Sequence, residues 1–304
     1  MLFRSLPIIF VMTGSSARKL KKGGANLLAG RAFVFQMFPF SFLELKNQFD
    51  LETALNFGLL PKIYEYPDTL QKQLFLEAYV HTYLKEEVWL EQMVKNLDPF
   101  RRFLEVAAQM NGKIINFSAI ARDVGVSDQT IKTYYSILED TLLGFFLEPF
   151  HHSFRKRLGH QPKFYLFDIG VTRALSNILV IPLREGTSAY GETFEHFIIL
   201  ECMKLSNYYH LNYRFFYLST KDGAEVDLVV ERPGKTYLFI EIKSSTMVNK
   251  ESLTTLQQLA KDFKDCEAMC FSRDTFQKQF EGITVYPWQE GIKTFFTSLD
   301  REAF

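Results

Sequence analysis

The sequence predicts an α/β chain of several domains, and three stretches carry that prediction. Residues 225–231 and 236–244 are dominated by Val, Leu, Ile, Phe and Tyr and are joined across Pro233-Gly234, so they read as two strands about a tight turn. Residues 70–89 repeat apolar side chains at three- and four-residue spacing, the pattern of a long amphipathic helix. Residues 115–143 hold Ser118 and Ser127 at cap positions on either side of Gly125, which predicts two short helices meeting at a turn. The 304 residues suffice for two or three domains.

Composition narrows the functional classes. Thirty-five basic residues balance thirty-five acidic ones, so a global pull on nucleic acid is excluded and any such binding must come from local patches. Cys202, Cys266 and Cys270 make neither a metal-ligand array nor an even disulfide set, which points to a reducing, cytoplasmic compartment. The longest apolar run, 6–12, is interrupted by Pro7 and falls far short of the roughly 20 residues that cross a bilayer, so no membrane partner is expected. Its flanks, Arg4 and Ser15-Ser16-Ala17, mimic a signal peptide, but the apolar part is at the short limit and reads as a buried strand.

Taken in order, that strand leads into a polar turn, Thr13-Gly14-Ser15-Ser16, and a basic segment with Arg18, Lys19, Lys21 and Lys22. The runs TGSSARKL at 13–20 and NLLAGRA at 26–32 resemble the second half of the ATPase core in a family of prokaryotic AAA-type ATPases. Members of that family carry a winged-helix segment and a C-terminal domain of uncharacterised function. The resemblance implies that residues 1–45 are a remnant of the ATPase core and 46–97 its helical lid. It implies sensor roles for Thr13 and Ser15 and a phosphate or finger role for Arg31. No GxxxxGK[ST] occurs in the chain, so the loop that cradles phosphates and its lysine are missing. ATP is therefore expected to bind only in an intact parent protein, with this chain a truncated or decayed form that does not hydrolyse it.

Residues 38–94 read as helical, broken by Gly58, Pro61 and Pro67. His81 lies on the helix 70–89 as an ordinary polar neighbour. Asp98 is placed to cap a helix with Pro99 at its first position, running to Met110 and ended by Asn111-Gly112. The paired helices that follow, with small Ala121 at their crossing and Val126 and Ile131 inside, form a helix-turn-helix, and FFLEPF at 145–150 supplies a wing strand. Residues 98–160 thus read as a winged helix. Its second helix offers Gln129, Thr130, Lys132 and Thr133, but Lys132 is its one basic residue against Asp128, Glu139 and Asp140. Phosphate contacts dominate affinity, so an interaction module is favoured over a lone sequence reader. Basic residues follow in a loop, Arg155, Lys156, Arg157 and Lys163 among His151, His152 and His160. They suit either a phosphate track or a solvated connector. DNA and a protein partner both stay open at this point.

The last unit, 161–304, reads as strand 163–167, a turn at Asp168, helix 171–177, helix 188–209, strand 215–219, the hairpin, helix 252–263 and strands 268–272 and 284–286. Three ionisable residues interrupt the apolar hairpin: Asp227, Glu241 and Lys243. Side chains alternate along a strand, so Glu241 and Lys243 share a face, and a three-residue loop would set Asp227 opposite Glu241. Charges buried there are costly unless they pair or hold a metal.

From Glu195 on a helix, through Asp227, to Glu241-Ile242-Lys243, this order resembles the PD-(D/E)XK nuclease core. The resemblance implies a mixed sheet with flanking helices. It implies that Asp227 and Glu241, with the Ile242 carbonyl, hold Mg²⁺, that Lys243 handles the attacking water, and that Glu195 completes the metal shell or positions the water. Gln257 and Gln258 would reach the phosphate or line a solvated helix face. The expected function is Mg²⁺-dependent DNA hydrolysis or DNA binding. The alternatives are a non-catalytic module for DNA or protein, or a truncated subunit of an ATP-driven switch.

Overall fold

A computed structural model describes residues 11, 33–84, 97–150, 161–220, 222–263 and 265–297. Thr13, Ser15, Arg31, Arg155, Lys156 and Arg157 lie outside the described residues, as does the expected strand 6–12 apart from Val11.

The first described part is a set of short helices, interrupted at Gly58 and Pro61 as the sequence predicts. Helix α1 (Phe42–Leu45) is capped by Ser41 and helix α2 (Leu51–Phe57) by Asp50. Gly58, at φ 75°, ends α2, and Pro61 opens a 3₁₀ turn, Pro61–Glu65. Helix α3 (Thr69–Ala78) starts on an Asp68 cap and passes into a wider π turn at Tyr79–Leu84. Of the expected helix 70–89, residues 70–84 are described and are helical with a change to π geometry at Tyr79; 85–89 lie outside the described residues. Only Leu76 on α3 is buried, while Leu70 and Leu74 are exposed.

Three helices then pack together: α4 (Leu97–Gln109), α5 (Phe117–Val124) and α6 (Asp128–Asp140). Asp98 is inside the first turn of α4, 3.6 Å from Arg101, and is not its cap. Asn116, not Ser118, caps α5, since its side chain accepts from the Ala119 amide. The Ser118 hydroxyl instead donates to Asp128 at 2.5 Å, tying the start of α5 to the start of α6. Gly125 turns the chain at φ 77°, and Ser127 caps α6. Ile120, Ala121, Ile131 and Tyr135 are buried with Phe100 and Phe103 of α4, so the predicted inward positions meet in one core.

The remaining elements are β1 (Gly144–Pro149), β2 (Lys163–Leu166), α7 (Ile169–Leu175), α8 (Ser188–Tyr208), β3 (Arg214–Ser219), β4 (Glu225–Glu231), β5 (Tyr237–Lys243), α9 (Thr254–Asp262), β6 (Cys266–Ser272), β7 (Lys278–Phe280), β8 (Ile283–Pro287) and α10 (Trp288–Phe296). Strand β7 and helix α10 were not foreseen. The strands form one mixed sheet in the order β2-β1-β3-β4-β5-β6-β8-β7. With ten α-helices among the described residues, the architecture is mixed α/β.

Strand β1 is the joint of this sheet. Its first four residues pair antiparallel with β2, and Glu148 and Pro149 pair parallel with Phe216 and Tyr217 of β3. The expected wing strand thus continues into the sheet that carries the hairpin. Helix α8 covers one face through Phe194, Phe197 and Ile198, in a core shared with Leu228, Val230, Ile240 and Trp288. Leu256 and Leu259 of α9 pack on the other face with Val226, Val229, Phe239 and Cys270. Among the described residues no helix is long and apolar enough to cross a membrane.

Candidate functional site

Strands β4 and β5 pair as the sequence predicts. Leu228 stands opposite Ile240 and Val229 opposite Phe239, so the same register carries Asp227 to the position opposite Glu241. Alternation then sends Glu241 and Lys243 to the face that bears Phe239, next to Cys270, the β6 residue registered with Glu241.

Asp227 sits where the strand is irregular. Phe216 of β3 pairs with Val229, yet Leu218 pairs with Val226, so Asp227 and Leu228 together stand against Tyr217. This is a β-bulge, an extra residue that re-aims side chains. Core membership records its effect. Val226 and Val229, three residues apart, share the α9 face, which strict alternation forbids. Asp227 Oδ2 accepts the Ile242 amide at 2.7 Å, so the carboxylate is fixed against the backbone between Glu241 and Lys243.

Lys243 Nζ donates to Glu241 Oε1 at 2.6 Å. The other oxygen, Glu241 Oε2, is buried and has no hydrogen-bond partner. Burial, then the Asp227 charge, push the Glu241 carboxyl up to about 8 against the pull of Lys243. Burial also raises Asp227, opposed by the Ile242 amide and Lys243. Lys243 is raised too: burial alone would lower it, and the Glu241 carboxylate outweighs that effect.

Glu195 arrives from α8, and its Oε1 accepts the Tyr165 hydroxyl at 2.7 Å. Burial and the Asp227 charge raise its carboxyl to about 7, and Glu195 in turn acts on Glu241. The four residues predicted from sequence, Glu195, Asp227, Glu241 and Lys243, therefore form one electrostatic cluster.

Sequence reasoning missed three members of it. Lys163, named with the basic residues able to track phosphates, stands on β2 as the expected strand 163–167 has it, but is buried there. Its ammonium is bonded to Glu225, lies 3.8 Å from Glu195 Oε1 and 5.2 Å from the centre of the Tyr217 ring. Burial would depress Lys163, but Glu195 and Glu225 hold it above its ordinary value. Tyr165 and Glu225 are the other two. The one available signal was the placement of Lys163 and Tyr165, two apart, on a predicted strand.

The donor set bears on the metal expectation. Four carboxylates, Glu195, Glu225, Asp227 and Glu241, face two ammonium groups, Lys163 and Lys243, for a formal charge of −2. Among the described residues no group of three or more His, Cys, Asp or Glu is gathered closely enough to hold an ion by itself. Mg²⁺ does not require such a cage, since one or two carboxylates with waters and substrate oxygens suffice. The free Glu241 Oε2 and a hard oxygen donor set fit that ion.

The residues of α6 expected to meet nucleic acid lie elsewhere. Gln129, Lys132 and Thr133 are exposed on α6, with the Lys132 ammonium 5.5 Å from the centre of the Phe117 ring. Thr130 is half-buried, and its hydroxyl is bonded to the Ser127 cap at 2.9 Å. Gln257 on α9 bonds Glu281.

Comparison with known proteins gives two partial matches to domain families. Residues 48–180 match a domain of unknown function, DUF8612, and residues 190–290 match another, DUF4143. The chain is 24% identical over 241 residues to an uncharacterized protein of Mycobacterium tuberculosis, and equally to one of Mycobacterium bovis; these alignments cover 79% of this chain and 53% of each relative. It is 20% identical over 292 residues to an uncharacterized protein of Haemophilus influenzae, covering 90% of this chain and 68% of the relative. The chain thus spans about half the length of the mycobacterial relatives it matches. No solved structure matches it.

Proposed function

We propose that residues 161–304 form a Mg²⁺-dependent nuclease-like domain that hydrolyses DNA phosphodiesters, in a nucleic-acid-associated protein derived from an AAA-type ATPase. The observation that carries this reading is the pairing of Asp227 with the Glu241–Lys243 segment, one carboxylate pinned by the Ile242 amide and the other left with a buried, unpartnered oxygen. The desolvation of that carboxylate oxygen is uncompensated within the protein, and a bound cation would offset it.

Asp227 and Glu241, with the Ile242 carbonyl, would hold the ion. Bound there, it would supply Lewis-acid polarisation of the scissile phosphate. Lys243 is the most accessible cation of the cluster, with its side chain 35% exposed. It would orient the attacking water and offset charge on the phosphate. Glu195, raised to about 7, would accept a proton from that water near neutral pH. The water oxygen would bond to phosphorus as its proton passes to Glu195, the bond to the leaving oxygen would break, and that oxygen would take up a proton from solvent.

The helix-turn-helix would contribute contacts from Gln129, Thr130 and Lys132, aided by Arg155, Lys156 and Arg157. A non-catalytic role, in holding a protein more readily than DNA, is favoured by one observation, the acidic Asp128 at the start of α6, locked to Ser118. Incubation of supercoiled plasmid and single-stranded DNA with Mg²⁺ or Mn²⁺ separates the two readings. Cleavage abolished by Asp227→Ala and Lys243→Ala supports hydrolysis. Retention of DNA without cleavage supports the binding module.

A further inference from the structure

The family matches divide the chain between residues 180 and 190, but the charge cluster crosses that division. Lys163 and Tyr165 belong to β2, in the first match, whereas Glu195, Asp227, Glu241 and Lys243 belong to the second. Both β2 side chains act on one atom, Glu195 Oε1: the Tyr165 hydroxyl donates to it at 2.7 Å and the Lys163 ammonium lies 3.8 Å away.

The surroundings fix this arrangement on both sides. The Tyr165 ring stacks on Phe145 at 5.8 Å and lies 5.4 Å from the His196 ring, so it is packed by aromatic neighbours from both elements. One residue beyond each partner, β2 and α8 are fastened again. His196 Nε2 donates to the Leu166 carbonyl at 2.7 Å, and its Nδ1 accepts from Asn111 Nδ2 at 3.2 Å. The Asn111 carbonyl oxygen accepts the Leu166 amide at 2.8 Å, closing the ring of contacts. Tyr165 and Glu195 are therefore neighbours of a buried lock between strand and helix.

We propose that Tyr165, supported by Lys163, is a positioning residue that holds Glu195 in the orientation needed to serve the cation site, so that the strand β2 of the wing hairpin is part of the functional site. The inference rests on the metal-site reading given above. It also predicts that the functional unit is larger than residues 190–290.

The test is a double-mutant cycle on Mn²⁺ affinity, measured calorimetrically on the intact chain with folding checked by melting temperature. Tyr165→Phe removes the hydroxyl and keeps the ring. It is expected to weaken Mn²⁺ binding about tenfold, the scale of one hydrogen bond to a charged group. In a Glu195→Gln background, where Asp227 and Glu241 still bind, the same change is expected to alter affinity less than about twofold. A Tyr165→Phe chain that binds like the wild type overturns the proposal. So does an equal loss in both backgrounds, which marks a general structural effect. Loss of all binding in Glu195→Gln alone also overturns it, because Glu195 would then be an obligatory ligand. A folded wild-type chain that binds no Mn²⁺ removes the metal reading itself, and this outcome is distinct because the others require wild-type binding.

Discussion

Asp227 Oδ2 accepts the backbone amide of Ile242 at 2.7 Å, so the carboxylate on one strand is held by the residue that separates the acid and the base on the next. The β-bulge that shifts β4 by one position beside Tyr217 puts Asp227 there. Two consequences of a carboxylate at this place, charge and hydrogen bonding, separate on mutation. Asp227→Asn keeps an oxygen able to accept from Ile242, and its stability should stay within about 1 kcal/mol of the wild type. Asp227→Ala loses the bond and exposes the amide, and should lose about 1–3 kcal/mol. Urea denaturation of both variants in chelator checks the difference.

The pH dependence of stability follows from Glu241. Its folded-state value, about 8, stands above the ordinary glutamate value, so the folded chain binds a proton that the unfolded chain releases. Stability is fully present below the unfolded value and is lost as pH rises through the folded one. In chelator, the melting temperature should fall between about pH 5 and pH 8. Glu241→Gln, neutral throughout, should flatten that fall and be the more stable protein at pH 8. Glu195, raised to about 7, adds to the same slope and should leave part of it in the Gln variant.

A second buried ion pair has a purely structural role. Lys204 Nζ lies 3.0 Å from Glu201 Oε1 and donates to the Phe40 carbonyl, while Glu201 Oε2 accepts the Phe42 amide. The pair straps residues 40–42 onto α8. Lys204→Met strands a buried carboxylate and should cost about 3–5 kcal/mol. Adding Glu201→Leu to that variant should recover part of the loss. Chemical denaturation of the single and double variants reads out both.

Close packing of α7 on α2 depends on Gly170. A Cβ at this position would stand 2.1 Å from the Phe57 carbonyl oxygen, a backbone atom that cannot rotate away. Gly170→Ala should therefore cost about 1–3 kcal/mol or more. Gly234 has no atom within 4 Å of such a Cβ, but its φ of 70° confines the cost of substitution to local backbone strain. Thermal unfolding of the Gly170 variant tests the contact.

What was legible in the sequence was what neighbouring residues decide. The bounds of β4 follow from alternation and one Pro-Gly turn, whereas the register of β4 with β5 hung on the loop length and is decided by the fold. Gly125 and Ser127 announced the turn between α5 and α6 for the same local reason. What was hidden depends on distant partners. Ser118 looks like a helix cap, yet Asn116, two residues earlier, makes the bond. Lys163 reads as the end of a basic run, and only the folding of β2 against β1 brings it to Glu225, 62 residues away. No local signal marks Glu201 for burial; Lys204, three residues on, and the distant backbone of Phe42 allow it. The union of the wing strand with the main sheet rests on two residues, Glu148 and Pro149, pairing with Phe216 and Tyr217, and no local pattern encodes it.

The central claim is that the face bearing Asp227, Glu241 and Lys243 holds a divalent cation. Calorimetric titration of the intact chain with Mg²⁺ at pH 8, beside Asp227→Asn, tests it most directly. The account predicts one saturable site in the wild type and none in the equally folded variant. A wild-type chain that takes up no Mg²⁺, or a variant that binds it equally well, would contradict the account.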